Sequence, residues 1–233
     1  KKYRVREPQL MVDELGNLVE RWKVRHFAFA DDVFSIDREK TLRLCREIVG
    51  RKLKIAWHAT TRVDALDEEL VEAMKEAGCY ALSLGVETGS AAILQKIHKS
   101  TDIETGGRAI RLCRKVGIHT TALLIIGYMG ETEETVRETR DFLRRCKPNS
   151  VSAAGGLWIF PGTAVYQKAK AQGLIDDSFW LARKPFITYY GTHDQATLEH
   201  FQDIIWSYSR RVSLRRKIRR FLCRNGRPYG SGG

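Results

Sequence analysis

Five short apolar runs in this chain each stop at residues able to hold charge or turn sharply. Phe27-Ala-Phe-Ala30 stops at Asp31-Asp32, and the run from Lys54 stops at Thr60-Thr61-Arg62. Tyr80 to Val86 runs into Glu87-Thr88-Gly89-Ser90, and His119 to Ile126 into Gly127-Tyr-Met-Gly-Glu-Thr132. Val151 to Phe160 is followed by Pro161-Gly-Thr163. Carboxylates, hydroxyls, a guanidinium and glycines are the equipment for charge-assisted binding of a small polar ligand. Any one cluster is also an ordinary helix cap or tight turn. Five in succession, at the same place in the pattern, carry more weight.

The elements that must position them alternate between helix and strand. Pro8 can open a helix, after which Met11, Leu15, Leu18, Val19 and Trp22 recur at helical spacing. Residues 25–30 form a short strand. Asp37 caps a helix through Val49, residues 54–61 form a strand, and Asp67 caps a helix that Gly78 ends. Residues 80–86 are the next strand. Thr101 and Glu104 have capping-box spacing for a helix through Val116. A strand at 119–126 leads to a helix capped by Thr132 and running to Cys146; Glu131 is assigned to the same cap. A strand at 151–160, interrupted at Gly155-Gly156, precedes a helix from Thr163 to near Gly173. A last helix is predicted from Asp194 into the low 220s, followed by a disordered end.

Strands alternating with helices across short turns imply right-handed crossovers and a parallel sheet. Ligands of such sheets bind at the carboxyl ends of the strands, where all five polar clusters fall. Because the series opens on a helix, a first strand is unaccounted for.

Composition fits a soluble globular chain: 43% hydrophobic and 29% charged residues supply a core and a solvated surface. No apolar run approaches the ~18 residues that span a bilayer. The five cysteines lie more than thirty residues apart, so no pair has metal or redox spacing, and reduced buried thiols in a cytoplasmic protein are expected. The net charge of +12 is concentrated at the end. Nine arginines and lysines follow Asp203 without a further acid, and the rest of the chain is close to balance. Leu214, Ile218, Phe221 and Leu222 recur at helical spacing among them. That basic amphipathic helix can pack on the body of the protein, or meet an anionic membrane surface and make the protein membrane-peripheral. RNA phosphates are the least favoured partner, because only Phe221 and Tyr229 interleave aromatics.

The ordered series Asp31-Asp32, Trp57-His-Ala-Thr-Thr-Arg62-Val-Asp64, Ala77-Gly-Cys79, Leu84-Gly-Val-Glu87-Thr-Gly-Ser90, Ile125-Ile-Gly127-Tyr-Met-Gly-Glu-Thr132 and Pro161-Gly-Thr163 resembles the core of the radical S-adenosylmethionine (SAM) superfamily. It is most similar to the cobalamin-binding branch and runs from about residue 3 to residue 175. The resemblance implies an α/β fold: a partial (β/α)6 TIM-like barrel of parallel strands over 1–190. Its first strand would be missing, a basic helical extension would follow at 191–225, and a disordered tail at 226–233. It implies a [4Fe-4S] cluster, SAM and, through a further domain, cobalamin. In the family, an electron from the cluster cleaves SAM to methionine and a 5′-deoxyadenosyl radical, which abstracts a hydrogen from a substrate. Partners would be a small-molecule or lipid-like substrate and a reductant.

By the same resemblance, Asp31 and Asp32 approach the methionine amine, and Glu87 contacts SAM, plausibly at the ribose hydroxyls. Thr60 and Arg62 end a strand at the site, with Arg62 pairing either the methionine carboxylate or Asp64. Lys99 is a second candidate for the carboxylate. Ile125 and Gly127 flank adenine. No residue is assigned to catalysis and none to a metal. The family's Cys-x3-Cys-x2-Cys motif does not occur in the chain and is expected upstream of Lys1, so the chain reads as an inert piece of a longer enzyme. A cluster-less barrel that keeps a SAM or nucleotide pocket, or serves as a scaffold, is the alternative. An ordinary barrel for a phosphorylated metabolite is disfavoured by the poor phosphate loop at Pro161-Gly162-Thr163.

Overall fold

The computed structural model describes residues 3–181, 188–189 and 193–208. The elements in chain order are α1 (Pro8–Trp22), β1 (His26–Ala28), α2 (Arg38–Gly50), β2 (Ala56–Arg62), α3 (Glu68–Glu76), β3 (Cys79–Glu87), α4 (Ala91–Lys96) and α5 (Ile103–Lys115). They continue with β4 (His119–Ile126), α6 (Glu133–Cys146), β5 (Ser150–Gly155), β6 (Leu157–Trp158), α7 (Ala164–Ala171), β7 (Thr188–Tyr189) and α8 (Gln195–Trp206). The expected caps at Asp37, Asp67, Thr163 and Asp194 each accept a backbone N–H of the first helical turn. At α5 the cap is Asp102, which accepts from Thr105 N, and not the Thr101–Glu104 pair. The Thr101 hydroxyl is buried without a partner, and Glu104 bonds Arg111 instead. The short α4 falls in a stretch with no helical periodicity long enough to read.

The five strands β1 to β5 form one sheet in sequential order, with β1–β2, β2–β3 and β3–β4 parallel. This is the strand order of an incomplete (β/α) barrel, and the α/β class expected from the sequence holds. The predicted strand at 151–160 divides at Gly156, whose φ of +76° is left-handed. Before it, β5 stays in the main sheet; after it, β6 pairs antiparallel with β7. The predicted basic amphipathic helix and the predicted disordered end fall on residues after 208, outside the described residues.

Burial alternates along the strands with the period of two that a pleated strand imposes. Trp57, Ala59 and Thr61 of β2, Leu82, Leu84 and Val86 of β3, and Thr120, Ala122, Leu124 and Ile126 of β4 are all buried. The opposite face is half-buried and polar. There the register aligns Thr60 with Ser83 and Thr121, and Arg62 with Gly85 and Leu123.

The chain comprises two compact units. The first holds residues 1–87, 98–124 and 146–152; the second holds 88–97, 125–145 and 153–233. Within the first, Trp57 is fully buried and donates its indole N–H to Ala77 O at 2.8 Å. Phe29 and Phe34 stack against it at ring-centroid distances of 5.2 and 5.1 Å and against each other at 4.6 Å. The second unit has its own core, built from Ile159, Tyr166, Ala169, Ile175 and Phe179. Among the described residues, no helix is long and apolar enough to cross a membrane.

Trp57 therefore secures both β2 and the loop after β1. Trp57→Ala should lower unfolding free energy by about 3–5 kcal/mol, measured as a shift in urea midpoint at unchanged slope.

Candidate functional site

The first unit brings six of the eight candidate residues to the carboxyl ends of its strands or the loops beyond them. The loop after β1 is tied to β2 by its backbone: Phe29 N donates to His58 O at 3.0 Å and Phe34 N to Thr60 O at 2.9 Å. A buried hydroxyl pair, Ser35 and Thr61 at 2.5 Å, continues the seam. Thr60 thus serves through its carbonyl. Held between these anchors, Asp31 and Asp32 are exposed, and their carboxylates join no hydrogen bond or ion pair among the described residues. Asp31 lines a cavity of about 340 Å³, with Phe27, Phe29 and Phe34 among its apolar walls and Arg4 and Arg6 among its charged ones.

The end of β2 is already paired. Arg62 grips Asp64 with two hydrogen bonds, at 2.8 and 2.6 Å. Of the two partners expected for Arg62, the structure presents Asp64. The bond to Asp64, with Glu87 adding to it, holds the guanidinium above its ordinary range, and Arg62 holds Asp64 below the usual carboxylate range.

The end of β3 is strained. Among the described residues, five non-glycine residues have positive φ: Lys23, Lys52, Glu87, His98 and Lys147. Lys23, Lys52, His98 and Lys147 follow helices, where a left-handed residue closes the last turn. Glu87, at +67°, ends a strand instead. Such a conformation costs on the order of 1–3 kcal/mol and persists only where neighbours enforce it. Beside it stands Lys99, whose ammonium donates to Glu87 Oε1 at 2.7 Å and Gly85 O at 2.6 Å. Its side chain is only 9% exposed. A Cβ on Gly85 would stand 3.0 Å from Glu87 Oε1 and 3.2 Å from Lys99 Nζ, tighter than nine in ten real Cβ contacts, so the charged side-chain ends would have to give way. Gly85 is therefore part of the site, and its signal was in the sequence: a lone glycine inside a strand marks close approach.

Ile125 and Gly127 belong to the second unit. Ile125 is half-buried, and Gly127 is buried with φ +87°. A Cβ there would lie 2.4 Å from Leu198 of α8. Glu131 does not cap α6 as expected. Its carboxylate turns back to accept Gly127 N at 2.5 Å, and it also takes the backbone N–H of Tyr128. The capping falls to Thr132, which exchanges hydrogen bonds with Thr135 at 3.0 and 3.4 Å. Burial at 4% exposure pushes the Glu131 carboxyl up to about 7, against the two backbone donors that favour its charged form. In the same unit, Gly89 N donates to Thr139 Oγ1 of α6 at 2.9 Å, and Gly89 leaves no room for a Cβ, which would meet the Thr139 Cα at 2.6 Å. Pro161-Gly162-Thr163 shapes a turn, with Thr163 donating to Phe160 O and capping α7.

The donor chemistry of the first unit suits a ligand with an ammonium group and hydroxyls, which SAM carries. It does not suit an iron–sulfur cluster. Among the described residues, no three His, Cys, Asp or Glu come together as metal ligands. Cys45, Cys79, Cys113 and Cys146 are buried and outside any disulfide, and burial pushes the first three up to about 12. Cys223 lies outside the described residues.

Comparison with known proteins agrees with the resemblance. The family model described as the Radical SAM superfamily matches residues 1–143. The anaerobic magnesium-protoporphyrin IX monomethyl ester cyclase of Rubrivivax gelatinosus is 37% identical over 154 residues, covering 65% of this chain and 28% of that protein. A solved structure of the radical SAM methyltransferase TsrM from Kitasatospora setae, with cobalamin and a [4Fe-4S] cluster bound, has 26% identity and a TM-score of 0.64. That match covers 70% of this chain and 32% of TsrM. The cobalamin-dependent SAM radical enzyme OxsB, at 20% identity and TM-score 0.54 over 74% of this chain and 26% of its own, shares the fold. The chain spans between about a quarter and two fifths of the first three curated relatives.

The raised Glu131 carboxyl makes stability depend on pH with a defined sign. Between about 4.5 and 7 the folded chain holds a proton that the unfolded chain has released, so this group's contribution favours folding at low pH and is lost as pH rises through 7. The swing is of order 3 kcal/mol. Glu131→Gln should abolish it, measured by urea unfolding at steps from pH 5 to pH 8.

Proposed function

Because the chain belongs to the radical SAM superfamily, we propose that it forms the SAM-binding part of an enzyme that reductively cleaves SAM to begin radical chemistry on a small-molecule substrate. SAM, once bound and reduced by the enzyme's [4Fe-4S] cluster, supplies the hydrogen-abstracting group. The cluster's ligands are not among the described residues, and the contribution of this chain is to bind and orient. Asp31 and Asp32 offer unpaired carboxylates to the ligand's ammonium group, where charge-assisted hydrogen bonds are strong. Glu87 presents its remaining acceptor capacity to the ribose hydroxyls. Arg62, already bound to Asp64, fixes the strand end beside them. The likeness to TsrM and OxsB supports a place near the cobalamin-using members, with cobalamin held by another part of the polypeptide.

The observation that carries the reading is Glu87: a non-glycine residue kept left-handed at a strand end, in the superfamily that the model match identifies. A second reading is a barrel that binds SAM or a nucleotide through the same open carboxylates without cleaving it. The polypeptide encoded around this chain, reconstituted anaerobically with iron and sulfide, separates the two. Release of 5′-deoxyadenosine on reduction is expected, and a cluster-loaded protein that leaves SAM intact would overturn the first reading.

Asp31→Asn with Asp32→Asn should weaken SAM at least tenfold, as charge-assisted bonds of about 1.5–3 kcal/mol require, measured by equilibrium titration. Unchanged affinity would remove both residues from the site.

A further inference from the structure

We propose that Lys99 is a positioning residue that holds Glu87 in its left-handed conformation, and that it does not bind the carboxylate of the ligand. The inference rests on the SAM reading for the role of Glu87, but its structural half stands alone. Two of the three N–H groups of the Lys99 ammonium are committed, to Gly85 O and Glu87 Oε1. Those two acceptors flank the register shift between Gly85 and Glu87, where β3 departs from regular pairing with β4. One cation thus ties the carbonyl before the irregularity to the carboxylate after it. Without that tie, the Glu87 carboxylate loses the cation hydrogen-bonded to it.

Turning the ammonium outward to a ligand carboxylate would break both bonds. It would also leave the Glu87 carboxylate, itself 23% exposed, without its cation. The space argues the same way: Gly85 lacks the Cβ that would crowd both charged atoms. A site built to release Lys99 would not need such a close seat. Arg62 is similarly committed to Asp64. The rim of the first unit therefore offers open carboxylates at Asp31 and Asp32 and no comparably open cation at Arg62 or Lys99.

The test has two arms on the full chain. In the first, thermal midpoints are compared for Lys99→Met, Glu87→Gly and the double variant. Lys99→Met should lower the midpoint when Glu87 is present. It should be neutral or stabilising beside Glu87→Gly, because glycine tolerates positive φ and has no carboxylate to pair. Equal losses in both backgrounds overturn the proposal. Should Lys99→Met not fold, Lys99→Gln, which keeps a donor and drops the charge, runs through the same cycle. In the second arm, SAM and 5′-methylthioadenosine, which lacks the amino-acid carboxylate, are titrated by calorimetry. Lys99→Met should weaken both by the same factor, about tenfold. A loss confined to SAM shows that Lys99 reads the carboxylate and overturns the proposal. If the unaltered chain binds neither, the SAM reading of this chain falls, and the thermal cycle by itself decides whether Lys99 holds Glu87.

Discussion

Strand parity governs this molecule. In β2, β3 and β4 every second side chain enters a close-packed interior, and the parallel register keeps neighbouring strands in step. A slip of one residue would carry Arg62 and Glu87 into the position of Thr61 and Val86, where no ion pair could be hydrated. The apolar face thereby enforces the polar one. Among the described residues, Trp57 is the largest fully buried side chain. It fills the interior under β2, and its ring also seats Phe29 and Phe34, so the loop carrying Asp31 and Asp32 inherits its position from a hydrophobic contact. Chemistry at the rim depends on packing beneath it.

The charges on that rim fall into two states. Arg62, Asp64, Glu87 and Lys99 make a group of zero net charge whose members are already bonded to one another. Asp31 and Asp32 stand apart from it without partners among the described residues. Preorganised pairs do not need to reorient when a ligand arrives. In the proposed site, rigidity and affinity would therefore come from different residues. The left-handed turn at Glu87 belongs to the rigid set: strain at one φ angle is balanced by a lysine twelve residues further on.

Much of this was legible in the residues. The βα alternation, five of the helix caps and the placement of polar clusters at strand ends follow from local rules, because caps and periodicities are properties of a few neighbouring residues. The departures have long-range causes. Thr101 and Glu104 satisfy a capping box on paper, yet Asp102 is one residue closer to the turn and captures Thr105 N first. Glu131 has the type and position of a cap residue, but Gly127, at positive φ, presents its N–H to the carboxylate. The predicted strand at 151–160 breaks because Gly156 permits a left-handed step that hands the chain to another pairing partner. Lys99 was visible as a cation near the site. Its commitment to Gly85 O depends on a register shift between strands, which no local pattern reveals.

The buried thiols carry a separate consequence. A thiol displaced to about 12 is ionised at roughly one part in ten thousand at pH 8, and only the ionised form coordinates iron or attacks a disulfide. Cys45, Cys79 and Cys113 are thus poor scavengers of loose metal and slow to oxidise in air. Iron retained by a preparation that includes this polypeptide therefore reports on ligands other than these three, and bleaching of that iron by oxygen need not leave them cross-linked.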